Sequence, residues 1–288
     1  MTAKAIPRPK SAVPLQIDYV DVDGVKLRYA LRPGCGGTPL LIFNGIGANL
    51  EVVSPFIDAM AGREILIFDM PGTGGSPHSW IPRRFSGLAR MAARFLDRLG
   101  YPEVDVAGVS WGGALAQQFA RQYRRRCRRL VLAATSAGVV MVPAKLTVLA
   151  KLVTPRRYLS AEYMRRAAPD IYGGDLREQP ELISAHSARI VAPSTQGYLY
   201  QLLAGVGWTS LWWLHRLRQP TLILAGSDDR LVPPINARFL AFLIPNNRLH
   251  IIPNAGHLFM LHRLDAVVPL IRQFLDSPER PKSRGPHH

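Results

Sequence analysis

Val104-Asp105-Val106-Ala107-Gly108-Val109-Ser110-Trp111-Gly112-Gly113 begins as an apolar strand and ends as the start of a helix. Glycines at 108, 112 and 113 leave room for a sharp turn between the two, one that lifts the Ser110 hydroxyl above the end of a sheet. Gly-x-Ser-x-Gly alone recurs by chance in many chains. Between a strand and a helix it matches what a nucleophilic serine needs, because a hydroxyl is inert at neutral pH unless it is exposed to a base.

Outward from this stretch, short apolar runs of strand length recur at Leu40–Phe43, Ile65–Phe68, Leu130–Ala133, Leu222–Ala225 and Leu249–Ile252. Stretches with helical spacing lie between most of them, among them Phe85–Leu99 and Ala114–Tyr123. Strand and helix in alternation predict an α/β fold, a mostly parallel central sheet with helices on both faces. Leu15–Leu31 alternates apolar and polar residues around Asp23-Gly24 and predicts an N-terminal β-hairpin. The alternation breaks once, over 136–219, where no buried strand is expected. That stretch holds Trp208, Trp212, Trp213 and five of the nine tyrosines. The expected organisation is therefore a core of 1–135 and 220–277, a helical cap of 136–219 over the strand ends, and a disordered basic tail of 278–288. In open α/β sheets, ligands bind at that edge.

A serine nucleophile requires a base and a group to orient it, in the chain order Ser, Asp, His. After Leu222–Ala225 stands Gly226-Ser227-Asp228-Asp229, two carboxylates at a strand end, one of them available to build a turn. After the next strand stands Asn254-Ala255-Gly256-His257. His257 is the one histidine of eight at the end of a core strand and after both serine and acid. The oxyanion of acyl transfer needs two backbone N–H donors. Trp111 follows the nucleophile, and Ile46 lies in Asn44-Gly45-Ile46-Gly47 after the first core strand. A dinucleotide fingerprint is the competing reading of that loop, but its third glycine falls on Leu50. Asp69-Met70-Pro71-Gly72-Thr73-Gly74-Gly75-Ser76 lacks the lysine of a phosphate loop and reads as a tight turn.

Composition narrows the class. With 288 residues and 48% hydrophobic content the chain can bury a full core. Cys35 and Cys127 are too few for a disulfide framework or a zinc cluster. No apolar run reaches membrane-spanning length, and the basic N-terminus lacks the apolar segment of a secretory signal, so the expectation is a cytoplasmic protein. The net charge of +16 includes six arginines between Arg121 and Arg129, read here as a solvated face. Tyr123 is the one aromatic among them, so no nucleic-acid platform is expected. No metal or organic cofactor is called for.

With these residues assembled, the chain resembles the α/β-hydrolase family and, more narrowly, the intracellular medium-chain-length poly(3-hydroxyalkanoate) depolymerases. The resemblance covers about Leu15–Leu275. It is most specific at Leu41–Leu50, Gly108–Phe119, Ile171-Tyr172-Gly173-Gly174 and Gly205–Ser210. Asn44-Gly45 stands where the wider superfamily has His-Gly, a substitution typical of the depolymerase group, and Arg124 stands where proline is common. The superfamily pattern Gly-x-x-Asp-x-x-x-Pro falls on Gly226, Asp229 and Pro233, which favours Asp229 over Asp228. The resemblance implies hydrolysis of an apolar stored polyester to 3-hydroxyalkanoic acids, with a storage granule as partner. The residues alone reach a serine hydrolase with an apolar cap. They leave open an esterase, lipase or carbon–carbon bond hydrolase of the same fold, and a non-catalytic binder of apolar ligands.

Overall fold

The computed structural model describes residues 14–152, 155–177 and 179–278; the expected basic tail falls, but for one residue, outside them, as does the basic N-terminus. Eight strands form one sheet: β1 (Gln16–Val22), β2 (Val25–Arg32), β3 (Leu40–Phe43), β4 (Ile65–Phe68), β5 (Val104–Val109), β6 (Cys127–Ala133), β7 (Thr221–Gly226) and β8 (Asn247–Ile252). Their spatial order is β1-β2-β4-β3-β5-β6-β7-β8. β1 and β2 form the hairpin around Asp23-Gly24, β2 pairs antiparallel with β4, and the remaining pairings are parallel.

The apolar runs are continuous rather than alternating because both faces of the sheet are covered. Leu41, Phe43, Leu66 and Phe68 belong to one core, with α2 (Phe85–Leu99) and α3 (Trp111–Gln122). Their neighbours Leu40, Ile42, Ile65 and Ile67 point the other way. They join a second core that includes Phe56 and Ile57 of the earlier helix α1 (Ser54–Ala59) and residues of the C-terminal helices.

The connection from β6 to β7 is helical. It contains α4 (Leu146–Ala150), α5 (Arg156–Leu159), α6 (Ala161–Tyr172), α7 (Pro180–Ser187) and α8 (Thr195–Gly205), followed by a 3-10 turn at Leu211–Arg216. Met164, Ala167, Ala168, Ile171 and Ile183 give it a small core of its own, against which Leu231 and Leu258 pack from the loops beyond β7 and β8. An isolated bridge between Gly138 and Thr209 ties its two ends together. The fold then closes with α9 (Ile235–Leu243), α10 (Phe259–His262) and α11 (Leu264–Asp276).

The arginine run departs from the expected solvated face. β6 begins at Cys127, so Arg128 and Arg129 lie on an inner strand instead of a connecting loop. Arg128 donates to both carboxylate oxygens of Asp105, at 2.9 and 2.6 Å, and Arg129 is buried with its guanidinium on the Phe274 carbonyl and Ser277. Arg126 donates to the carbonyls of Ala93 and Tyr101 at 3.0 and 2.5 Å. Half of the run therefore fastens helices to the sheet, and the charge pattern alone could not show this because Asp105 is a strand residue far away in sequence.

Candidate active site

The turn between β5 and α3 places Ser110 at φ 55°, ψ −118°, in the region that L-residues rarely adopt. It is held there from both sides: the Ser110 N–H donates to the Ala133 carbonyl at 2.9 Å, and the Ser110 carbonyl accepts from the Thr135 hydroxyl at 2.8 Å. The flanking glycines are demanded by close approach. A Cβ at Gly108 would stand 2.3 Å from the Gly112 carbonyl oxygen, and one at Gly112 would stand 2.2 Å from that of Phe43.

His257 follows β8, and Asp229 follows β7. Asp229 Oδ2 lies 2.8 Å from His257 Nδ1, and both side chains are almost wholly buried. The other carboxylate oxygen accepts from the N–H groups of Leu231 and Val232 at 2.9 and 2.8 Å, which fixes the carboxylate plane. Asp228 points elsewhere. Its Oδ2 accepts from the Gly174 N–H at 2.7 Å and pairs with Arg177. Ser110 and His257 line one cavity, together with Asn44, Gly45 and Ile46.

In the loop after β3, three N–H groups are already engaged: Gly45 on Asn44 Oδ1 at 3.0 Å, Gly47 on Gln201 Oε1 at 2.9 Å, and Ala48 on the Gly45 carbonyl at 3.1 Å. The Ile46 N–H has no acceptor among the described residues, and neither does that of Trp111, in the first turn of α3 where a helix leaves its donors free. Gln201 on α8 braces both places, since its backbone carbonyl also accepts from the Trp111 indole at 2.8 Å. The Asp69–Ser76 stretch is a turn closed around its own acid: the buried Asp69 accepts from Leu50 and Gly75 at 2.7 and 2.9 Å, occupying N–H groups that a phosphate would need.

The structure brings further residues to the site that sequence reasoning had not assigned. Tyr172 lies parallel to the His257 ring, with centroids 6.1 Å apart, and its carbonyl accepts from the His257 N–H at 2.7 Å. His186 and Arg157 join the cavity wall. Tyr172 falls within one of the family-specific stretches, the one available signal; Gln201 is a polar residue amid the leucines of α8; Arg157, beside Arg156, reads as surface. The stretch Gly205–Ser210 also gains a purpose, as the Trp208 indole donates to Gln118 Oε1 at 2.9 Å and the Ser210 hydroxyl to Gln117 Oε1 at 2.7 Å, anchoring the connection to α3.

Burial, reinforced by the nearby His262, Arg189 and Arg157, pushes the His186 pKa down from 6.5 to about 3. Below pH 6.5 the unfolded chain binds a proton that the folded chain refuses, so stability falls as pH drops from 6.5 toward 3. Going from pH 7 to about 5 should cost roughly 2 kcal/mol from this residue. Urea unfolding at the two pH values measures the loss. His186→Met should reduce it, and an unchanged loss would assign it to other groups.

A family model described as the alpha/beta hydrolase fold matches residues 38–263. The chain is 55% identical over 258 residues, 89% of its own length and 91% of the relative's, to a poly(3-hydroxyalkanoate) depolymerase of Ectopseudomonas oleovorans. It is 29% identical over 77% of its length to a putative carbamate hydrolase of Azorhizobium caulinodans, of which it covers 85%. Among solved structures it superposes on the enol-lactonase of Burkholderia xenovorans LB400 with a TM-score of 0.78 at 20% identity, over 90% of this chain and all of that one.

Proposed function

The chain belongs to the α/β-hydrolase fold family, and from that premise we propose that it is a serine ester hydrolase that depolymerises medium-chain-length poly(3-hydroxyalkanoate) to 3-hydroxyalkanoic acids. The observation that carries the reading is the meeting of Ser110 with the His257–Asp229 pair in one cavity beside two unengaged backbone donors. In this reading Asp229 accepts from His257 Nδ1, which leaves Nε2 bare as the base. His257 takes the Ser110 proton as Oγ attacks the ester carbonyl, and the N–H groups of Ile46 and Trp111 hold the oxyanion. The alcohol departs with the proton from His257, and water releases the acid from Ser110 by the same route.

An apolar polymer as substrate is supported by the surroundings. A second groove reaches Ser110 from the other side, walled by Phe85, Trp111, Val139, Met141 and Trp208. Trp80, Ile81, Leu199, Leu203 and Val206 are exposed, and the Tyr200 hydroxyl donates to the Trp80 carbonyl at 3.4 Å, bringing α8 beside Trp80; we read these apolar side chains as the rim of an interaction site. Residues 136–219 act as the cap, and the rim as the face laid on a cytoplasmic storage granule. No helix among the described residues is long and apolar enough to cross a membrane. The test is turbidity: purified protein should clear an amorphous medium-chain polyester emulsion. Hydrolysis of soluble aryl esters with no clearing would replace this reading by a small-substrate esterase of the same fold.

A further inference from the structure

We propose that Arg157 recognises a free carboxylate, so that the enzyme takes its substrate from the carboxyl end of a chain or oligomer; this rests on the polyester reading above. Arg157 is 3% exposed and lines the cavity that holds Ser110 and His257. Its guanidinium lies against the rings of Tyr158 and Tyr198, at 4.6 and 5.6 Å from their centroids, contacts that hold a cation without neutralising it. Nη2 donates to the Tyr158 hydroxyl at 3.3 Å, while Nε and Nη1 are buried with no hydrogen-bond partner among the described residues. No carboxylate of the described residues pairs with it. The other buried arginines are different: Arg32 and Arg63 reach carboxylates, and Arg129 reaches backbone carbonyls.

A guanidinium remains charged at any working pH, and a desolvated charge that has neutral tyrosines around it but no counter-ion is costly to keep. Its planar fork fits a carboxylate with two parallel hydrogen bonds. The same cavity has apolar walls, including Val52, Val53, Met260 and Leu261. A carboxylate beside an alkyl branch describes the terminal 3-hydroxyalkanoate unit of the polyester. With that unit's carboxylate on Arg157, its 3-oxygen is the leaving alcohol, which gains its proton from His257 as the acyl carbon bonds to Ser110. The remaining chain lies in the Trp111 and Trp208 groove on the other side of the serine.

The test compares the linear dimer of 3-hydroxyoctanoate as free acid with its methyl ester, using the full-length wild-type protein. The free acid should be favoured by about tenfold or more in kcat/KM, with the difference carried mainly by KM. Arg157→Gln should collapse the ratio toward one, and Arg157→Lys should retain part of it. A second readout needs no variant: octanoate should inhibit hydrolysis of an aryl octanoate at concentrations where octanamide does not. Equal kcat/KM for the two wild-type dimers, or equal inhibition by octanoate and octanamide, would overturn the role of Arg157 and leave the polyester reading intact. Failure to cleave either dimer, with the aryl ester still hydrolysed, would overturn both.

Discussion

Ser110→Ala should lower turnover of a soluble aryl ester by at least about 10,000-fold, because the residual rate then comes from binding and the oxyanion donors alone. The folded state should be almost untouched. Alanine carries the same backbone penalty as serine at φ 55°, and the bonds that hold the turn use the backbone of residue 110 rather than its hydroxyl. The variant should therefore unfold within a few tenths of a kcal/mol of the parent. The measurement is steady-state hydrolysis beside a denaturant titration, with a fluorophosphonate probe as a third readout that should label the parent and not the variant. Retained turnover would remove Ser110 from the mechanism.

Asp229→Asn carries the second large effect, a loss of about 10,000-fold in kcat with the geometry nearly intact. The amide supplies a donor as well as an acceptor, so His257 can adopt the tautomer with its proton on Nε2 and lose its capacity as base toward Ser110. Asp228→Asn is the matching control. Its Oδ2 bond from the Gly174 N–H survives in the amide, and the lost ion pair with Arg177 is more than a third exposed, so little stability rests on it. Activity should stay within a few-fold of the parent, an effect of the size expected from surface substitutions. If the two variants exchanged phenotypes, the orienting role would pass to Asp228.

Most of the sheet was legible because an inner parallel strand must be apolar on both faces, and runs such as Leu40–Phe43 and Ile65–Phe68 have no other use. The turn at Ser110 was legible for a related reason: glycines 108, 112 and 113 are where the backbone or a neighbouring side chain leaves no room for a Cβ, and that constraint is written in residue type. The choice between two adjacent aspartates was different. Both lie at a strand end, and in the sequence only family resemblance separates them; in the structure the His257 contact does. Arg157, His186 and Tyr172 were not legible as a group, since they converge through α5, α6 and α7, whose mutual packing is tertiary. Half of the arginine run departs from a solvated face for the same reason: Arg126, Arg128 and Arg129 find their partners elsewhere in the chain, while Arg124 and Arg125 stay exposed.

The approach of Gly173 and Gly174 to Gly256 has a bearing on how this enzyme can be re-engineered. A Cβ at Gly174 would stand 2.0 Å from the Gly256 nitrogen, and one at Gly256 would stand 2.3 Å from the Tyr172 carbonyl oxygen. The segment over the site and the loop that carries the histidine are thus fitted main chain to main chain, one residue from His257. The cap proposed for 136–219 is therefore not an interchangeable part. With His257 as the base proposed above, a transplanted 136–219 segment that alters this joint would shift that base, so grafts intended to change substrate choice should leave Tyr172-Gly173-Gly174 in place and vary the aromatic wall instead.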